Sequence, residues 1–176
     1  MQEKKLLMTQ DEIVNAIKIN KKFWLHVLNT NCYAFALGLD VPEQKICRHA
    51  YEPGVMSGNN KELPKLYTYS SLLQNIIADL NFLDISYKEV KPSYKTGDGE
   101  WKIALFTSTI GYEFEDFLAD DFHFLRQMPN GIWYHKRGWK KGVSKIDSLG
   151  DVIKDPSKCC LEYYHFESCL KLKIKR

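Results

Sequence analysis

Three residues carry the chemistry that the sequence offers: Cys32, His123 and His135. Cys32 directly follows Asn29, Thr30 and Asn31, residues that cap helices well, and it opens a short apolar run closed by Gly38. A thiol at the first turn of a helix faces free N–H groups and the positive end of the backbone dipole. This placement predicts a lowered thiol pKa and a reactive thiolate. The same N–H groups are suited to hold a tetrahedral oxyanion.

The two histidines flank Met128, Pro129, Asn130 and Gly131, a stretch with turn residues, so residues 121–127 and 131–136 read as a hairpin. Pairing Gln127 with Gly131 sets Leu125 opposite Trp133 and His123 opposite His135. Directly opposed side chains share a face with Cβ atoms about 4.5–5.5 Å apart, so one imidazole can orient the other. A one-residue slip would separate them. Phe122, Phe124, Ile132 and Tyr134 make the other face apolar. Nucleophile, base and orienting group are the parts of a nucleophilic triad. Cys32 is then the nucleophile, His123 the general base and His135 its orienting partner; Asn130, Asp147 and Asp155 are alternative orienting groups. Asn31 and Tyr33, beside the nucleophile, and Trp133 are assigned to substrate binding, with Trp139 a further candidate for the cleft.

The elements that must position these groups follow from pattern. Thr9 and Glu12 form a capping-box signature before Ile13, Val14 and Ile17, which predicts a helix over 10–20. Residues 40–66 read as a long irregular connection. Thr68 or Ser70 caps a helix whose Leu72, Leu73, Ile76, Ile77 and Leu80 form one face. Strands are predicted over 85–90 and 101–107, in the hairpin, at Val152 and Ile153, and where Leu170, Leu172 and Ile174 alternate with lysines. Helices first and strands second give one α+β domain over 1–176, with N-terminal helices packed on a central antiparallel sheet.

Composition is that of an ordinary globular chain, 44% hydrophobic and 27% charged, and a net charge of +3 gives no argument for nucleic acid or membrane binding. No apolar run reads as a signal peptide or a membrane span, so cytoplasmic residence is expected, with delivery by a signal-independent route left open. Five cysteines, Cys32, Cys47, Cys159, Cys160 and Cys169, make an odd set that reads as reduced thiols. Cys159, Cys160, His165 and Cys169, with Cys47 and His49, do not match a standard metal-ligand spacing, and no cofactor is expected. His26 reads as a packing or surface residue. Acidic residues before the hairpin (Glu113, Glu115, Asp116, Asp120, Asp121) and basic ones after it (Lys136, Arg137, Lys140, Lys141, Lys145) read as solvated loops.

On Cys32 and the hairpin, the chain resembles the NlpC-type cell-wall peptidases, a branch of the papain-like superfamily. That family sets Cys at a helix head, then His on a strand, then a polar residue, often His, twelve positions later across an Asn-Gly turn. Here His123 and His135 flank Asn130 and Gly131 with that spacing, and Ile103 to Phe106 resembles the preceding strand. The likeness spans roughly residues 28–136. Asn31 stands where the family commonly has Asp, and Tyr33 and Ala34 where it has Ser and Gly. The hairpin also resembles small uncharacterised bacterial proteins of the wider superfamily, which bring no substrate with them. The resemblance implies a papain-like fold and peptide or amide hydrolysis through a thioester, with a peptide or protein substrate and an unspecified oligomeric state. Transglutamination, deamidation or another acyl transfer on the same triad, and a silent protein-binding module on the same scaffold, are the alternatives.

Overall fold

A computed structural model describes residues 7–9, 11–14, 30–39, 51–59, 68–108, 112–114, 117–119, 121–137 and 142–175. Helix α1 (Cys32–Leu37) and helix α2 (Tyr69–Phe82) precede strands β1 (Ile85–Val90), β2 (Glu100–Ser108), β3 (Tyr112–Phe114), β4 (Phe117–Ala119), β5 (Phe122–Gln127), β6 (Trp133–Lys136), β7 (Val143–Ser144) and β8 (Tyr164–Ile174). Six strands form one sheet in the order β1-β8-β2-β5-β6-β7, every neighbouring pair antiparallel, while β3 and β4 pair separately. The α+β class is therefore as expected. The β3–β4 hairpin was not anticipated.

Local chemistry sets the helix ends. Asn31 caps α1 by accepting the Ala34 N–H at 2.8 Å, and Gly38 ends it in the left-handed region at φ 78°. A Cβ at Gly38 would lie 2.9 Å from Ile13 Cδ1 and 3.0 Å from Arg126 Nη1, so space as well as conformation requires glycine there. Thr68 and Ser71 cap α2 reciprocally. Thr9 and Glu12 do the same ahead of a helical turn at 11–14; the rest of the predicted 10–20 helix lies outside the described residues. Trp139, His26, Cys47, His49, Glu115, Asp116, Asp120, Lys140 and Lys141 also lie outside them.

Strand alternation splits the core into two layers. Ile103, Leu105, Phe122, Phe124, Leu170 and Leu172 face α1 and α2 and pack with Tyr33, Leu37, Leu72 and Ile76. Ala104, Phe106, Leu125, Trp133 and Cys169 face the other way, where Ile153 and Leu161 from the segment before β8 cover them. Val152 makes only an isolated bridge to Ile146. Among the described residues no helix is long and apolar enough to cross a membrane.

Candidate active site

Cys32 is the first residue of α1 and is buried, as are all six residues of that helix. Its Sγ lies 4.0 Å from the Phe122 carbonyl oxygen, to which it donates. The N–H groups of Phe124 and Tyr33 favour its thiolate, but burial first, and then the nearby Asp121 carboxylate, push the thiol up to about 12. The expectation of a lowered thiol pKa is thus overturned. A six-residue helix offers little dipole, and desolvation of the sulfur outweighs it.

The hairpin closes differently from its expected register. Leu125 pairs with His135 and Gln127 with Trp133, so His135 stands diagonal to His123 rather than opposite it. The reason lies in the turn. Met128 N–H donates to Ile132 O and Gly131 N–H to Met128 O, both at 2.9 Å, enclosing a three-residue loop with Gly131 at φ 79°. This loop moves the pairing by two residues, which preserves the face. His123 and His135 therefore still meet, with Nε2 of His123 2.8 Å from Nδ1 of His135.

The partners dictate which nitrogen holds each proton. Nε2 of His135 lies 3.0 Å from Ile146 O, which can only accept, so that nitrogen carries a proton. Burial first holds the imidazoles of both His135 and His123 below the usual histidine range, His123 at about 3, so both are neutral at pH 7. Neutral His135 then accepts at Nδ1, and His123 donates from Nε2. The lone pair of His123 is left on Nδ1, where a general base needs it.

The structure brings the two histidines together but gives Cys32 and His123 no hydrogen bond to each other. Phe122 and Phe124 turn toward α1, whereas His123 pairs with Phe106 and shares the face of Leu125. The sulfur lies against the backbone on either side of His123, at the bonds of Phe122 and Phe124. The Tyr164 ring lies over His123 with centroids 5.2 Å apart, and its hydroxyl donates to Asp121. A cavity of about 250 Å³ is lined by both buried histidines, with Arg137, Ser148, Leu161, Glu162, Tyr163 and Tyr164 around them; Cys32 does not line it.

Two residues assigned to substrate binding are removed from that role by burial. Tyr33 is fully buried and donates its hydroxyl to Asp79 at 3.1 Å. Trp133 is fully buried in the second core layer, with the Lys102 ammonium 5.4 Å from its ring centroid. Asn31 is committed at both polar ends, accepting from Ala34 and donating to Tyr51 O at 2.8 Å. It is a helix cap that also ties down the segment 51–59. The alternative orienting groups are engaged locally: Asn130 within the turn, Asp147 by backbone N–H groups including that of Cys160, and Asp155 by Ser157.

The sequence reading missed several participants. Buried Asp79 accepts from Tyr33, Gly54 and Ser57 and so fixes the segment beside α1. Lys136, expected on a solvated loop, is fully buried. Alternation puts it on the face opposite His135, that of α1, and burial lowers its ammonium to about 8 while Cys32 raises it. Its position on β6, one residue after an inward histidine, was the available signal. Arg137 donates to Ser148 at 3.0 Å and lies 3.6 Å from Glu162. Among the described residues no group of His, Cys, Asp and Glu is arranged to hold a metal ion.

Compared with family models, curated proteins and solved structures, the chain matches none.

Proposed function

We propose that the chain is a cysteine hydrolase of papain-like, NlpC-like arrangement that cleaves a peptide or amide through a thioester. The observation that carries this reading is the polarised histidine pair, 2.8 Å apart and anchored on Ile146 O, which leaves Nδ1 of His123 as a base beside the strand backbone that Cys32 touches. With thiol and imidazole both neutral at rest, the proton moves when the reaction begins. Because His123 stands on the face of β5 opposite α1, the sulfur must first leave the Phe122 carbonyl and pass the end of β5 at Phe122. As both groups leave their buried sites and return toward ordinary acidity, Nδ1 of His123 takes the thiol proton, and the thiolate attacks the substrate carbonyl. The backbone N–H of Cys32 helps to hold the oxyanion. The imidazolium returns its proton to the leaving amine, and water, deprotonated by the same nitrogen, hydrolyses the thioester. Transfer of the acyl group to another acceptor uses the same steps with that acceptor in place of water, and product analysis separates the two outcomes.

A second reading, a silent protein-binding module, is favoured by one observation: the sulfur is buried and donates to a backbone carbonyl instead of His123. The two are separated with p-nitrophenyl acetate, followed by intact-protein and peptide mass spectrometry. The hydrolase reading expects a transient acetyl group on Cys32 that is lost in His123→Ala and much reduced in His135→Ala. Acetylation spread evenly over the cysteines, or unchanged without His123, eliminates the hydrolase and leaves the binding module.

A further inference from the structure

Among the described residues, the cavity lined by the two histidines carries one cation, Arg137, and one anion, Glu162. Arg137, immediately after β6, has a side chain 38% exposed, and its Nη1 lies 3.6 Å from a carboxylate oxygen of Glu162, itself 54% exposed. Nη2 of the same guanidinium donates to Ser148 Oγ at 3.0 Å, which fixes the plane of the fork. Glu162 reaches it from a turn in which Tyr164 N–H donates to Leu161 O at 3.1 Å, with Glu162 at φ 59°, a conformation side chains seldom adopt. The positive charge is felt by the histidines, since Arg137 contributes to lowering both imidazoles.

From this geometry we infer that the cavity beside His123 and His135 is a carboxylate subsite, in which a substrate's carboxylate takes the place of Glu162 on Arg137. A guanidinium fork matches a carboxylate in shape and hydrogen-bond direction. Arg137, the one cation among the described lining residues, balances one negative charge, and about 250 Å³ admits a group of amino-acid size. The Glu162 carboxylate is a solvent-facing occupant, so an incoming carboxylate exchanges one ion pair for another, and the desolvation of Arg137 is already partly met. The assignment of this anion to an acyl substrate rests on the hydrolase reading above. It restricts that reading to amides bearing a carboxylate close to the bond cleaved.

The test is binding of small probes, read from the imidazole nitrogen signals of His123 and His135 in NMR spectra. N-acetylglycine is compared with its neutral amide and with inorganic phosphate, in the intact chain and in Arg137→Met, Arg137→Lys and Glu162→Gln. The carboxylate probe is expected to bind at least about tenfold more tightly than the amide, the value of one charge-assisted hydrogen bond. Arg137→Met should abolish that preference, Arg137→Lys should keep part of it, and Glu162→Gln should tighten binding severalfold by removing the competitor. Equal affinity for acid and amide, an unchanged preference in Arg137→Met, or phosphate binding as tightly as the carboxylate would each overturn the inference. Cys32→Ala should bind the probe like the parent chain. Failure of the subsite and failure of acyl-enzyme formation are thereby read separately.

Discussion

The Cys32 thiol should be slow to alkylate in the resting protein, and the size of the effect follows from its surroundings. A thiol at about 12, against an unperturbed value of about 8.5, has roughly three thousandfold less thiolate at neutral pH. The more basic thiolate is a better nucleophile, and a Brønsted coefficient of 0.4–0.5 restores about 25- to 60-fold. The net expectation is iodoacetamide labelling about 50- to 130-fold slower than for the same cysteine in the unfolded chain. Burial of the sulfur slows it further, so this is the smallest retardation expected. Mass spectrometry of peptides after timed quenching, from pH 6 to 10, gives the rate for Cys32 in folded and guanidinium-unfolded protein. Asp121→Asn removes the second-largest cause of the raised thiol and should speed labelling severalfold. A native rate equal to the unfolded one, or an inflection below about pH 8, would refute the neutral-pair reasoning and restore a preformed thiolate.

The His123 imidazole, lowered to about 3 from an ordinary value near 6.5, ties stability to acid. The folded state binds fewer protons than the unfolded one between those values, so stability falls with pH through that window. The loss approaches about 4–5 kcal/mol at its lower end, measured by urea unfolding across the range, and His123→Phe should flatten the curve. His135→Phe removes the acceptor for His123 Nε2–H; it should destabilise by about 1–3 kcal/mol in the same assay and slow acetylation of Cys32 by p-nitrophenyl acetate by a hundredfold or more, on the order of a lost orienting group. Asp79→Ala leaves Tyr33 Oη and the N–H groups of Gly54 and Ser57 without their acceptor, for a cost of about 3–5 kcal/mol in denaturant unfolding. Asn31→Ala should cost about 0.5–2 kcal/mol as a lost cap and raise amide exchange around Tyr51.

Features that the sequence made legible are those decided within a few residues. Helix α1 was readable because Asn31 and Gly38 bracket it, and the meeting of the two histidines because a two-residue shift preserves the face. The register itself was not readable. Closing the loop at Gln127 and Gly131 or at Met128 and Ile132 satisfies the same turn residues, and the choice depends on Gly131 adopting a positive φ. Long-range packing was hidden as well. Only strand position hinted at the burial of Lys136, nothing near Tyr33 announces Asp79, and the first half of β8 was invisible because residues 164–169 lack the alternation of 170–174. The sulfur's acidity depended on how deeply α1 is covered, which its six residues do not encode.

The order β1-β8-β2 has a consequence for how this protein is made. Strands β1 and β2 follow one another along the chain, yet each pairs with β8 instead of with the other. Until residues 164–174 have left the ribosome, neither strand has the β8 neighbour that it takes in the fold. A nascent chain halted before that point presents two open strand edges, the template on which chains associate with one another. A chaperone that shields edges, or a pause in translation before Tyr164, would bear directly on yield. A fusion partner attached just after Ile174 would load the strand that has to enter last.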